Sequence, residues 1–214
     1  MINRRVRIEK IAIKDVKLRT FITQDSSRDE MVQHVYDIAY GTVKRNTDTL
    51  VIIDDSIVRG TTLKQSIIRM LSRLGPEKII IVSSAPQIRY PDCYGIDMSK
   101  LGDFVAFRAA IELLHDTKQK NLLIQLQDKC KEMQRNNQLH TENIVRQVYK
   151  LFSLDDISNK IAKLITPSEI NIPVTVIYQT IESLHEACPT NQGDWYFTGN
   201  YLFFFFFRVC NKAF

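Results

Sequence analysis

Hydrophobic positions change period several times along the chain, and each change marks an expected element. Leu50 to Ile53 is a short, unbroken aliphatic run rich in β-branched residues, which predicts a parallel-sheet strand covered on both faces. Leu63, Ile67, Met70, Leu71 and Leu74 then recur at spacings of three and four, predicting a helix that Gly75-Pro76 stops. Ile79 to Val82 reads as a second buried strand that turns polar at Ser83 and Ser84. Two strands in series across a helix make a βαβ crossover, so the fold class is α/β with a parallel sheet.

The flanks are less regular. The opening "RRVRIEKIAIKDVKLRTFI" predicts a strand or two near a sheet edge. In the polar stretch from Gln24 to Asp48, Ser27 is placed to cap a short helix that Glu30 supports from its N3 position. From Ser99 the period becomes helical through "KLGDFVAFRAAIELLHD", a charged stretch from Thr117 to Gln138, "TENIVRQVYKLF" and "DDISNKIAKLI", with Thr141 and Ser153 as expected N-caps. "IPVTVIYQTIESLHEAC" returns to strand and then helix. Five consecutive phenylalanines, Phe203 to Phe207, fall far short of the about 20 apolar residues that cross a bilayer. They are expected as a core strand or as a sequence disruption. The expected division is a partial core over 1–98, a helical insertion over 99–172, and a returning strand-helix with a carboxyl-terminal segment over 173–214.

Composition narrows the class. With 44% hydrophobic residues among 214 the chain can pack a core, and its +5 charge comes from 29 basic residues scattered among 24 acids. That scatter reads as a solvated surface, so neither nucleic acid nor membrane is expected as a partner. Four cysteines without paired spacing, and no signal-peptide pattern, point to the cytoplasm. The four histidines show no metal-ligand spacing.

The chemistry gathers in "DDSIVRGTT", Asp54 to Thr62, between the first strand and its helix. Ligands of open parallel sheets bind beyond the carboxyl ends of the strands. Backbone N–H groups of Arg59, Gly60, Thr61 and Thr62 at a helix start, with hydroxyls alongside, make a phosphate site, and Gly60 allows close backbone approach. Asp54 and Asp55 would repel a phosphate at that range, so they serve a sugar diol or a magnesium ion bridging ligand oxygens. The ligand implied is a phosphorylated sugar.

"VIIDDSIVRGTT" resembles the phosphoribosyl pyrophosphate (PRPP) motif of type I phosphoribosyltransferases. Together with "RTFI" at Arg19 to Ile22, "SSAPQIRYPDCYGIDM" at Ser83 to Met98 and "DWYFTGNY" at Asp194 to Tyr201, it resembles the amidophosphoribosyltransferase family. The resemblance implies a partial type I phosphoribosyltransferase-like parallel sheet with helices on both faces. It implies the first committed step of purine nucleotide synthesis, in which glutamine-derived ammonia displaces pyrophosphate from PRPP to give phosphoribosylamine. Asp54 and Asp55 would hold the ribose hydroxyls and help bind Mg2+, and Ser56, Ile57, Val58, Arg59, Gly60, Thr61 and Thr62 would carry the 5′-phosphate. Arg19 and Thr20 would begin a flexible loop that closes over PRPP. Purine nucleotides are implied as candidate feedback ligands, and a homo-oligomer for the full-length enzyme.

The chain departs from the family at three places. Relatives begin a glutaminase domain with a nucleophilic cysteine, but Ile2 follows Met1 and no cysteine precedes Cys93, so that domain is expected to be absent and the chain to match the carboxyl-terminal part of a longer enzyme. Where some relatives bind an iron–sulfur cluster, Asp92, Gly193 and Tyr196 stand, so no cluster is expected. Relatives continue "FTGNY" with a Pro/Gly turn, where this chain has "LFFFFF". The alternative is a non-catalytic PRPP-binding or regulatory module, which would share the loop but not "YGIDM" and "DWYFTGNY".

Overall fold

The computed structural model describes residues 7–9, 11–14, 36–39, 41–92, 98–191, 193–201 and 207–214. Arg19, Thr20, Ser27, Glu30, Cys93 and Phe203–Phe206 lie outside them. The chain divides into two compact units: Met1–Leu50, Thr61–Ile79 and Pro167–Pro173 form the first, and Val51–Gly60, Ile80–Thr166 and Val174–Phe214 the second.

In the first unit, β1 (Ala12–Lys14) pairs antiparallel with β2 (Tyr36–Ile38), Ala12 opposite Ile38. Tyr36–Ile38, in the polar stretch from Gln24 to Asp48, are extended, while the helix expected after Ser27 lies outside the described residues. The expected helix after the loop begins with a π-helical turn, Leu63–Ile67, and continues as α1, Ile68–Ser72. Leu63, Ile68, Leu71 and Leu74 are its buried residues and immediate sequel. It stops at Gly75, whose φ of +68° is open to a residue without Cβ. The Gly75 carbonyl accepts from Asn46 N–H at 2.8 Å.

Three strands, β3 (Thr49–Asp54), β4 (Lys78–Ser83) and β5 (Val174–Tyr178), form a sheet in the order β3-β4-β5. The sheet is parallel and open. At its carboxyl end, Ser84 N–H donates to the Asp54 carbonyl at 2.9 Å and Gln179 N–H to that of Ser83 at 3.0 Å, so all three strands finish together. In the second unit, α2 (Val105–Asp116) packs on α5 (Leu154–Ile165), and α5 packs on β5. Val105, Ala109, Leu114, Ile157, Ile161, Ile165, Val176 and Tyr178 fill that core. Ser153 caps α5 as expected: its Oγ accepts from Asp156 N–H at 3.0 Å, and the Asp156 carboxylate accepts from Ser153 N–H at 2.9 Å.

Three expectations change. The run Leu50 to Ile53 is covered on one face, not both: Val51 is 60% and Ile53 75% exposed, on the side opposite the helix-packed residues. Helix α3 (Lys120–Arg135) forms in the charged stretch, but "TENIVRQVYKLF" yields only the single turn α4 (Arg146–Tyr149), because the Thr141 hydroxyl donates to the Gln138 carbonyl at 2.9 Å instead of capping. After α6 (Ile181–Ala187) and α7 (Trp195–Thr198), Phe207 opens α8 (Phe207–Ala213), so this last phenylalanine of the run is helical and buried, not part of a strand.

Candidate functional site

Asp54 ends β3 and Asp55 begins the loop, which puts two carboxylates side by side at the carboxyl edge of the sheet. Their backbone is held from β4: Ser84 N–H and Ala85 N–H donate to the Asp54 and Asp55 carbonyls at 2.9 and 3.0 Å, and Ser84 Oγ reaches both carbonyls at 3.2 Å. The side chains fold back on the chain, Asp54 Oδ1 accepting from Asp55 N–H at 3.1 Å and Asp55 Oδ1 from Ser56 N–H at 2.7 Å. Asp54 is half-buried and Asp55 exposed. Burial, and then the charge of Asp55, raise the Asp54 carboxyl above its ordinary 3.8.

The loop that follows alternates between core and surface. Ile57 is buried at 3% exposure, so its side chain is an anchor and only its backbone can face a ligand. Val58 accepts from Val105 N–H at 2.8 Å and Arg59 from Arg108 Nη2 at 2.6 Å, both through their carbonyls, and the Arg59 guanidinium lies 3.8 Å from Asp103. In a trans peptide the N–H points opposite the preceding carbonyl, so the Arg59 carbonyl bonded to Arg108 turns the Gly60 N–H the other way. No hydrogen bond among the described residues takes the N–H of Val58 or Gly60. Gly60 has φ +70°, and a Cβ there would sit 2.8 Å from Ile165 Cγ2. Thr61 and Thr62 follow in the chain with exposed side chains at the start of the helix.

Of the nine residues from Asp54 to Thr62, Asp54 to Gly60 belong to the second unit and Thr61 and Thr62 to the first, while Arg19 and Thr20 lie outside the described residues. Sequence reasoning missed three neighbours. Ser84 and Arg108 secure the loop's carbonyls. Tyr178, at the end of β5, has a buried hydroxyl without a partner among the described residues, and burial and the charge of Asp54 push its phenol above the ordinary value. Its only sequence signal is its place at the end of a strand. Arg89 is bound within the protein: its Nε and Nη2 donate to Gln87 Oε1 at 3.1 and 2.8 Å, while Gln87 Nε2 donates to Ser158 Oγ at 2.9 Å and the Leu154 carbonyl at 3.0 Å.

No protein-family model matches the chain. It is 48% identical over 58 residues to the amidophosphoribosyltransferase of Pasteurella multocida, a stretch that is 27% of this chain and 11% of the relative. Part of this chain is homologous to amidophosphoribosyltransferases. The enzyme of that name from Escherichia coli is 47% identical over 57 residues, 27% of this chain and 11% of the relative. That from Saccharomyces cerevisiae is 43% identical over 63 residues, 29% and 12% respectively. The chain spans about a tenth of the length of the curated amidophosphoribosyltransferases it matches.

Proposed function

We propose that the chain is the PRPP-binding part of an amidophosphoribosyltransferase and grips PRPP on Asp54 to Thr62. The observation that carries this reading is the loop's backbone: the carbonyls of Val58 and Arg59 are taken by Val105 N–H and the Arg108 guanidinium, and the N–H groups of Val58 and Gly60 have no partner among the described residues. A phosphate monoester supplies several acceptor oxygens to such backbone donors. Asp54 and Asp55 stand apart from that edge and accept from the ribose 2′- and 3′-hydroxyls.

Mg2+ fits the same arrangement. Among the described residues no three His, Cys, Asp or Glu side chains gather as a metal set. A two-carboxylate edge is nevertheless what Mg2+ uses when ligand phosphates and water complete its shell. Bound there, the ion would neutralise charge on the pyrophosphate, which leaves when ammonia attacks the anomeric carbon. The residues of this chain orient the ribose and hold its 5′-phosphate. Arg19 and Thr20 belong to the closing loop in this reading, which would exclude water from the reacting sugar.

Calorimetric titration with Mg-PRPP tests the assignment. Asp55→Asn is expected to weaken binding at least about tenfold, roughly 1.4 kcal/mol. Unchanged affinity in that variant would remove the acids from the site.

A further inference from the structure

A cavity of about 250 Å³ is lined by Gln134, Asn137, Leu139, His140, Arg208 and Lys212 and shares no residue with the Asp54–Thr62 loop. Its lining holds two fixed cations and an imidazole and no acid. Arg208 and Lys212 are four apart on α8, so their side chains emerge on one face, where like charges repel. Neither they nor His140 form an ion pair among the described residues. Two other cations of this unit do meet acids: Lys129 meets Glu142 at 2.6 Å and Lys160 meets Asp116 at 2.5 Å.

The walls of this cavity are fixed from below. Asn211, between the two cations on α8, is buried. Its Nδ2 donates to the Leu139 and Glu142 carbonyls at 2.8 and 2.7 Å, and its Oδ1 accepts from Ile144 N–H at 3.0 Å. A single buried amide therefore ties α8 to the segment after α3 that forms the opposite wall. Leu139, buried, makes an apolar floor, and Asn137 holds φ +55° at the turn out of α3. Preorganised walls let the repulsion between Arg208 and Lys212 persist in the empty state and be relieved by an anion.

We infer that this cavity binds a small phosphorylated metabolite of the sugar-phosphate class, independently of the Asp54–Thr62 loop. Its charge calls for a compact polyanion, and the guanidinium of Arg208 matches phosphate oxygens in pairs. The Gln134 and Asn137 amides offer both donors and acceptors to hydroxyls on the body of the ligand. The volume lies below the about 300–1,000 Å³ of pockets that take drug-sized ligands, which restricts the occupant to a phosphate with a small body.

The test reads the cavity itself. Acetylation of Lys212 by an amine-reactive ester is followed by mass spectrometry on the full chain while ribose 5-phosphate is titrated at about 0.15 M salt, where charges are screened beyond about 8 Å. Saturable protection of Lys212 is expected. Arg208→Ala should raise the half-protecting concentration at least about tenfold, as loss of a charge-assisted contact does, and Arg208→Lys, which keeps the charge but loses the paired geometry, should raise it by less than Arg208→Ala does. Protection that never saturates, that is absent, or that survives Arg208→Ala unchanged overturns the site. Because the readout is confined to Lys212, ligand held on the Asp54–Thr62 loop does not register in it.

Discussion

Replacing Gly60 by alanine tests whether the loop's shape is set by the core beneath it. Gly60 sits at φ +70°, where a residue with a Cβ loses about 1–2 kcal/mol. The new methyl would also lie 2.8 Å from Ile165 Cγ2 and 3.5 Å from Val105 Cγ2. Both neighbours are fully buried, Ile165 on α5 and Val105 on α2, so neither can swing aside into solvent. Overpacking of that kind costs about 1–3 kcal/mol. Alanine returns about 0.4–1 kcal/mol by restricting the unfolded chain. The net loss is therefore roughly 1–4.5 kcal/mol, a large share of the about 5–15 kcal/mol that holds a typical domain. Urea denaturation followed by circular dichroism measures it. Ile165→Leu keeps the side-chain volume but has no Cγ2, so the double variant Gly60→Ala/Ile165→Leu should recover part of the loss, with a coupling energy of about 0.5 kcal/mol or more. A Gly60→Ala loss below about 1 kcal/mol, or strict additivity with Ile165→Leu, would refute packing as the reason for the glycine and leave only its φ.

Two further outcomes follow from the same strands. Because burial and Asp55 raise the Asp54 carboxyl above 3.8, its contribution to stability is fully present below that unfolded value and is lost as pH rises through the folded one. Asp54→Asn should accordingly raise the urea midpoint at neutral pH and leave it unchanged at a pH well below 3.8, while Mg-PRPP affinity falls at neutral pH; a midpoint that drops at neutral pH contradicts the sign. Ile53→Thr, at 75% exposure, should move stability by no more than about 0.5 kcal/mol, whereas Ile81→Ala, at 0% on the neighbouring strand, should cost about 2–5 kcal/mol. A comparable loss from both would mean that the Ile53 face is covered.

What the sequence made legible was local, and what escaped it was set by distant partners. Ser153 was readable as a cap because Asp156 stands three residues on and completes the reciprocal pair. Thr141 has the apolar Ile144 at the same offset, nothing returns its hydrogen bond, and its hydroxyl turns back to Gln138 instead. Asp54 and Asp55 announced themselves because two acids at the end of an aliphatic strand are costly unless something uses them. Arg108, which closes the Arg59 carbonyl, belongs to a helix that reads as ordinary amphipathic sequence, and no spacing in the chain links it to the loop. Ile57 stands in the row of residues that the resemblance implies for the 5′-phosphate, and nothing in the aliphatic sequence around it shows that its side chain is buried and holds the segment down.

The aliphatic run before the loop shows where pattern alone fails. Unbroken Leu-Val-Ile-Ile has no period of two, so it carries no information about whether one face or both is covered. Covering is decided by the helices, and α5 lies on the side of Val176 and Tyr178, where it buries the residues that also set the loop: Ile165 under Gly60, and Tyr178 in the field of Asp54. The opposite face, with Val51, Ile53 and Ile177 exposed, contributes no hydrogen bond or packing contact to Gly60 or its loop among the described residues. Substitutions on that face should therefore change solubility without changing the geometry of Asp54 to Gly60, while substitutions on the α5 side should change both stability and ligand grip together.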